Sequence, residues 1–286
     1  MTDATMTAAT DAATTTEYGL LGEREFRLDR VPAAPDLAPW LERHWLVAWE
    51  LPAGRRSAAT LLPHPCVNLV LDGGRLVIAG VGRERFSYEL AGRGRVFGVK
   101  FRPGAFLPFF GAPVSRLTDR TVPAADVWGA AAAELEAALV GAAPDPSAFA
   151  AQVRAAEDFL RSRRPAPDPN VELVGTVVRA LLYDREIARV EDVARRFGMS
   201  TRTLQRLFQR YVGVTPKWVL RRYRLHEAAA RLAGGASDDS GTWAGVATEL
   251  GYFDQSHFIR DFAAAVGVTP VEYAAACARG LVTIRT

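Results

Sequence analysis

Val193-Ala-Arg-Arg-Phe-Gly198 runs on to Leu204-Gln-Arg-Leu-Phe208 and Gly213-Val-Thr-Pro216, and the series returns as Val246-Ala-Thr-Glu-Leu-Gly251, Phe258-Ile-Arg-Asp-Phe262 and Gly267-Val-Thr-Pro270. The copies stand 53 residues apart at their first valines and 54 apart at their closing Gly-Val-Thr-Pro turns, so one residue has been gained between Gly251 and Phe258. Two copies are too few for a solenoid and predict a pair of similar helical subdomains. Each has the grammar of a helix-turn-helix. A small Ala lets two helices cross closely, a Gly four residues later takes positive φ in the turn, and an amphipathic helix follows.

In the first copy Ser200 is the expected N-cap, and Leu204, Leu207, Phe208 and Tyr211 form the expected buried stripe. Ser200 and Thr201 at the helix start, with Arg202, Gln205, Arg206, Gln209 and Arg210 on the outer face, are then the candidate DNA contacts. Arg pairs with guanine O6/N7 and Gln with adenine N6/N7 in the major groove, and the same side chains bind phosphates. In the second copy Asp254 is the expected N-cap and Phe258, Ile259 and Phe262 point inward, which leaves Asp254, Gln255, Ser256, His257 and Arg260 for the groove or the backbone. A single basic amphipathic helix is as often merely solvated; the duplication favours reading of DNA. Between the copies, Lys217 to Leu232 reads as one long helix whose basic residues face phosphates or solvent. Two readers on one rigid helix reach successive major grooves, about 34 Å apart, so a monomer spans roughly 20 base pairs without a palindrome.

Charge is distributed to match. The net +3 of the 286 residues hides 11 basic against 3 acidic side chains over 189–231, followed by 3 basic against 6 acidic over 232–286. A dense basic block beside an acidic one asks for an anionic partner at one place and predicts a lopsided reader, the first helix carrying most of the affinity and salt dependence.

Upstream, Arg161-Ser-Arg-Arg-Pro-Ala-Pro-Asp-Pro-Asn170 carries three prolines in five residues and predicts an extended linker over 164–170. Before it, short β-branched and aromatic runs (45–49, 67–71, 76–78 and 96–101) punctuated by Gly and Pro predict a β-rich sandwich or barrel, and 124–140 and 148–160 predict two helices after the strands. The fold class expected is therefore α+β and multidomain: a disordered tail over 1–18, a β-rich regulatory and dimerisation domain with carboxy-terminal helices over 19–163, the linker, and an all-α double helix-turn-helix domain over 171–286.

Residues 171–279 resemble the carboxy-terminal DNA-binding domain of AraC/XylS-type transcription regulators. The resemblance runs through Val193-Ala-x-x-x-Gly198-x-Ser200, Leu204-x-Arg206-x-Phe208 and the Gly-Val-Thr-Pro turns, then Gly251-Tyr-x-Asp254-x-Ser256-His257-Phe258-x-Arg260-x-Phe262. It implies a sequence-specific regulator that binds double-stranded DNA, with Arg202, Gln205 and Arg206 on base-contacting positions of the first helix and Gln255, Ser256 and Arg260 on those of the second. It also implies a small-molecule effector, RNA polymerase and a second copy joined through 124–160 as further partners. Where such regulators often carry a basic residue after the second-copy Phe and after its later Tyr, this chain has Ala263 and Ala274. Thr60-Leu-Leu-Pro-His-Pro-Cys-Val-Asn-Leu-Val-Leu71 and Gly98-Val-Lys-Phe-Arg-Pro-Gly-Ala105 resemble the sensor region that precedes such domains in one branch of the family, which implies a cupin-like or half-barrel fold.

No other chemistry stands out. Trp45, Trp49, His64 and Phe101 are candidate ligand-lining residues among the aromatic set Trp40, Trp45, Trp49, Phe86, Tyr88, Phe97 and Phe101, although alternating aromatics are more often core. His64 and Cys66, with His44 as a third donor, are the only metal set to weigh, and they lack the further carboxylate or histidine a metal-binding cupin needs. A metal-dependent cupin-type enzyme fused to a DNA-binding module is the competing class. No catalytic set, cofactor motif, disulfide framework, signal peptide or apolar run long enough for a membrane helix is legible, so a non-enzymatic, cytoplasmic protein is expected.

Overall fold

A computed structural model describes residues 17–18, 25–142, 146–184, 186–234, 244–279 and 284–285. The tail expected over 1–18 lies outside these residues except for β1 (Glu17–Tyr18), which pairs antiparallel with β10 (Ile284–Arg285).

The amino-terminal domain is built on β2 (Phe26–Pro32), β3 (Leu41–Glu50), β4 (Arg56–Leu61), β5 (Asn68–Asp72), β6 (Arg75–Ala79), β7 (Phe86–Ala91), β8 (Arg93–Phe101) and β9 (Thr121–Pro123). Six of these form an antiparallel sheet in the order β2-β3-β8-β5-β6-β9, while β4 and β7 pair as a separate two-stranded ladder. The β5–β6 hairpin closes on Gly73 and Gly74, both at positive φ, as the two-residue hairpin turn demands.

Strand alternation gives the sheet two different faces. One carries His44, Leu46, Leu69, Leu71, Leu76, Ile78, Phe97, Val99 and Phe101, all buried. Against it pack the helices that follow: α1 (Leu107–Phe110), the 3-10 turn Val114–Leu117, α2 (Ala125–Trp128), α3 (Ala130–Gly141) and α4 (Pro146–Ser162). The other face carries Trp45 and Trp49. Their indoles lie so close over β8 that a Cβ at Gly98 or Gly94 would come within 2.2 Å of them, which is why those positions lack side chains. The helix expected over 124–140 is broken in two, because Gly129 takes φ 60 and ψ −142, a conformation open to glycine alone.

Proline also starts a helix where a linker was expected to continue. Pro169 sits at the first turn of α5 (Pro169–Tyr183), where its missing N–H costs nothing, and Asp168 caps it by accepting from the Asn170 amide at 2.9 Å. Then come α6 (Val190–Arg196), α7 (Thr201–Tyr211), α8 (Pro216–Ala233), α9 (Ala244–Glu249), α10 (Gln255–Val266) and α11 (Pro270–Ala278).

The buried apolar side chains fall into two clusters, and the division does not follow the linker. One runs from the sheet through α5, α6 and α7 to Val219, Leu220 and Tyr223 of α8; the other gathers Leu225, Ala228, Ala229 and Leu232 of the same helix with α9, α10 and α11 and with Leu62. The seam therefore lies inside α8, at Arg224. The domains touch closely: Thr118 Oγ1 donates to the Gly213 carbonyl at 2.6 Å, and a Cβ at Gly104 would meet Val174 at 2.5 Å.

Candidate nucleic-acid interface

The first helix-turn-helix, where the first reader was expected, is α6 and α7. Asp192 accepts from the Arg189 amide at 2.8 Å to start α6, and Ala194 is buried at the crossing. Gly198 takes φ 62 with open space around a Cβ, so backbone conformation and not crowding selects glycine in this turn. Ser200 caps α7 by accepting from the Thr203 amide at 3.0 Å. Leu204, Phe208 and Tyr211 are buried as expected, whereas Leu207 is half-buried, because it stands at the edge of the apolar stripe. The Tyr211 hydroxyl donates to Asp168 at 2.7 Å and so fastens α7 to the start of α5. Burial raises the Asp168 carboxyl, but the bonds from Tyr211 and Asn170 outweigh it and hold the group below its ordinary value.

Arg202, Gln205, Arg206, Gln209 and Arg210 are all exposed on one side of α7, and Ser200 and Thr201 stand at its start. None of the three arginines makes an ion pair among the described residues, so their charge is available to a partner.

The second reader repeats the backbone with different electrostatics. Gly251 takes φ 72, Asp254 caps α10 through the His257 amide at 2.7 Å, and Phe258 and Phe262 are buried, with Ile259 only half-buried. Gln255 is half-buried and Ser256, His257 and Arg260 are exposed. Two of these are turned inward on their own helix. Arg260 Nε donates to the Ser256 carbonyl at 3.3 Å, and His257 Nε2 lies 3.7 Å from Asp261. Phe253, which the sequence reading passed over, is 95% exposed immediately before the Asp254 cap. Its signal was an aromatic in the turn between Gly251 and the Asp254 cap.

The connecting helix departs most from expectation. Of its basic residues only Lys217 is exposed without an ion pair among the described residues. Arg221 is bridged to Asp261 of α10 at 2.7 Å, and Arg231 to Glu227 and to Glu249 of α9. Arg222, expected beside phosphate or solvent, is buried, with only 4% of its surface exposed, and its guanidinium donates to the Arg83 carbonyl of the β6–β7 loop. Arg224 donates to two carbonyls, Ala188 before the first reader at 2.6 Å and Gly251 in the turn of the second at 3.3 Å. It joins the two readers at the seam. The basic block is therefore only partly unpaired surface; much of it holds the two helix-turn-helix units together.

The residues weighed for ligand or metal are not brought to one point. Phe101 lies in the core face of the sheet and Trp45 and Trp49 on the opposite face, where Trp45 Nε1 donates to Asn68 at 3.3 Å and Trp49 meets Tyr88 edge-on. His64 stacks on His226 of α8 with ring centroids 4.2 Å apart, while His44, fully buried, is bonded to Glu157 of α4 at 3.1 Å. Glu157 is a carboxylate partner that sequence spacing could not offer, being 113 residues away. Among the described residues no group of three or more His, Cys, Asp or Glu is arranged to hold a metal ion, and no helix is long and apolar enough to cross a membrane.

Residues 29–123 match a domain of unknown function (DUF6597), and residues 193–276 match the Helix-turn-helix domain family. The chain is 40% identical over 78 residues to the HTH-type transcriptional activator RhaS of Pectobacterium carotovorum, a stretch that covers 27% of this chain and 26% of that protein. It spans, then, about a quarter of the length of that curated relative. Among solved structures it is similar to an AraC-type DNA-binding domain-containing regulator from Chromobacterium violaceum (26% identity, 36% of this chain and 91% of that one, TM-score 0.32). It is also similar to ToxT from Vibrio cholerae bound to an unsaturated fatty acid (10% identity, 91% and 95% of the two chains, TM-score 0.38). With two glycine turns, two capped helices and one connecting helix, the stretch that matches the Helix-turn-helix domain family holds two helix-turn-helix units in tandem.

Proposed function

We propose that the chain is a sequence-specific transcription regulator that reads double-stranded DNA chiefly through α7. The observation that carries this reading is the outer face of α7, where Arg202, Arg206 and Arg210 are exposed and free of ion pairs beside Gln205 and Gln209. Cations outside any ion pair are available to phosphates and to guanine edges, and Gln supplies the adenine pairing. In this reading α10 adds orientation and modest specificity through Gln255, Ser256 and Arg260, with Asp254 and His257 fixing the helix start. The amino-terminal domain serves regulation, by a small effector or by self-association through α3 and α4, where Val140 is 52% exposed. RNA polymerase is the further partner that a regulator bound beside a promoter meets.

Genome-wide mapping of bound sites, followed by titration of one recovered duplex across a salt series, tests the reading. A shared site of roughly 20 base pairs is expected, with affinity that falls steeply as salt rises. Affinity equal on all sequences would overturn it.

A further inference from the structure

A cleft of about 580 Å³ opens between the amino-terminal domain and the second reader, within the range of small-molecule sites. Its walls come from three places: Arg83, Glu84 and Arg85 of the β6–β7 loop, Trp218, Arg221, Arg222 and Leu225 of α8, and Ala263 to Ala265 with Gly267 at the end of α10. Four guanidinium groups thus face one carboxylate. Two of the four are already balanced, Arg83 by Asp119 at 2.5 Å and Arg221 by Asp261 at 2.7 Å.

Arg85 and Arg222 are not balanced. Neither has a carboxylate within ion-pair distance among the described residues, and Glu84 on the wall is bonded to neither. Arg222 is the costly one. It is 96% buried, its Nη2 donates to the Arg83 carbonyl at 2.5 Å, its guanidinium lies 4.6 Å from the Trp218 ring, and its Nη1 is buried with no hydrogen-bond partner. Burial, and then the charge of Arg221, bring the group down to about 10, so it stays protonated at neutral pH. A buried cation without a counter-charge is strongly destabilising unless something supplies one. Arg85 presses on the last turn of α10 so closely that a Cβ at Gly267 would come within 1.6 Å of its Nη1, which sets a cation against the negative end of that helix.

We infer that this cleft is a binding site for a small organic anion, a phosphate or carboxylate whose charge is met by Arg85 and Arg222 and whose apolar body lies against Trp218 and the alanines of α10. The occupant touches the amino-terminal domain, the connecting helix and the second reader at once. Bound, it clamps α10 to the β6–β7 loop and fixes the second reader; empty, the unbalanced like charges of Arg85 and Arg222 loosen that contact. The binding half stands on the cleft alone, whereas the regulatory half rests on the DNA-reading role proposed above.

Thermal unfolding of the full chain with phenyl phosphate, inorganic phosphate or sodium chloride at matched ionic strength tests it. Phenyl phosphate is expected to give a saturable rise in Tm of roughly 5 °C at a hundredfold excess over Kd, with a Kd at least tenfold below that of inorganic phosphate. Arg85→Gln and Arg222→Met should each weaken it at least tenfold, and Arg222→Met should leave the unliganded Tm at or above that of the parent. No rise beyond that of chloride overturns the site, and equal affinity for the two phosphates overturns the apolar subsite. If phenyl phosphate has no effect while both variants weaken DNA binding with a shallower salt slope, the cleft is a DNA-backbone contact and the inference fails. Arg206→Ala keeps the two readings apart, since it should lose DNA and retain phenyl phosphate.

Discussion

In the first reader α7 buries Leu204, Phe208 and Tyr211 in the same apolar cluster that holds Phe97 and Phe101 of the sheet. In the second, α10 buries Phe258, Phe262 and Val266 in a separate cluster that, among the described residues, takes Leu62 alone from the amino-terminal domain. The charges differ in the same sense: the arginines of α7 face outward unpaired, while Arg260 and His257 of α10 lean on their own helix. Duplication preserved caps, glycine turns and aromatic packing, which fix a backbone. It did not preserve the surroundings, which decide what the backbone is used for. One reader is anchored in the core of the sheet and presents unpaired cations, and the other packs on α8 in a separate cluster and is net acidic.

The largest expected contrast is in packing. Phe208→Ala and Phe262→Ala each empty a fully buried site and should cost about 3–5 kcal/mol where they act. Hydrogen exchange should show Phe208→Ala lowering protection in β3 and β8, and Phe262→Ala lowering it in α9 to α11 alone; equal loss in both strands would erase the contrast. Next comes recognition. Arg206→Ala should cost about 1–3 kcal/mol on the specific duplex and Arg260→Ala less, measured by fluorescence anisotropy. A larger loss from Arg260→Ala would reverse the assignment of roles.

Smaller effects sharpen the comparison where the readers should agree. Ser200→Ala and Asp254→Ala each remove a side-chain acceptor at an N-cap and should each cost about 1 kcal/mol in chemical denaturation, a test of whether the two turns are equivalent when charge is set aside. Smallest is the effect of pH on the contact between His64 and His226. Burial, with the charges of Lys100, His226, Arg43 and Arg222, holds His64 well below 6.5 in the folded chain. The unfolded chain therefore takes up the proton first, so this contribution is complete above pH 6.5 and is lost as pH falls below it. Melting curves at pH 7.5 and 5.5 should show a drop in Tm that His64→Asn reduces; an unchanged drop would place the titration elsewhere, for instance at His44.

Much of this was legible in the order of residues. The repeat, both N-caps, the positive-φ glycines and the four main strand runs depend on neighbours within a turn or a hairpin, and local rules reach that far. What escaped depends on distant partners. Nothing about Arg222 distinguishes it in sequence from exposed Arg221 next to it; its burial is decided by a loop 139 residues earlier. The His44–Glu157 bond and the placing of Leu62 in the second cluster are of the same kind. Leu207 and Ile259 were read as buried because periodicity gives a face and not its edges. Gly129 shows the opposite failure, a local signal present but submerged in an alanine run.

If the chain reads DNA as proposed, Arg224 bears on the shape of its operator. Its guanidinium ends on backbone carbonyls, Ala188 on one side of the seam and Gly251 on the other, so it grips the chain itself and not a side chain free to swing. Inserting one base pair between two half-sites rotates one against the other by about 34° and moves it about 3.4 Å along the axis. A pair of readers locked in this way has no slack to follow such a rotation, and tolerance for spacer length becomes a property of one arginine.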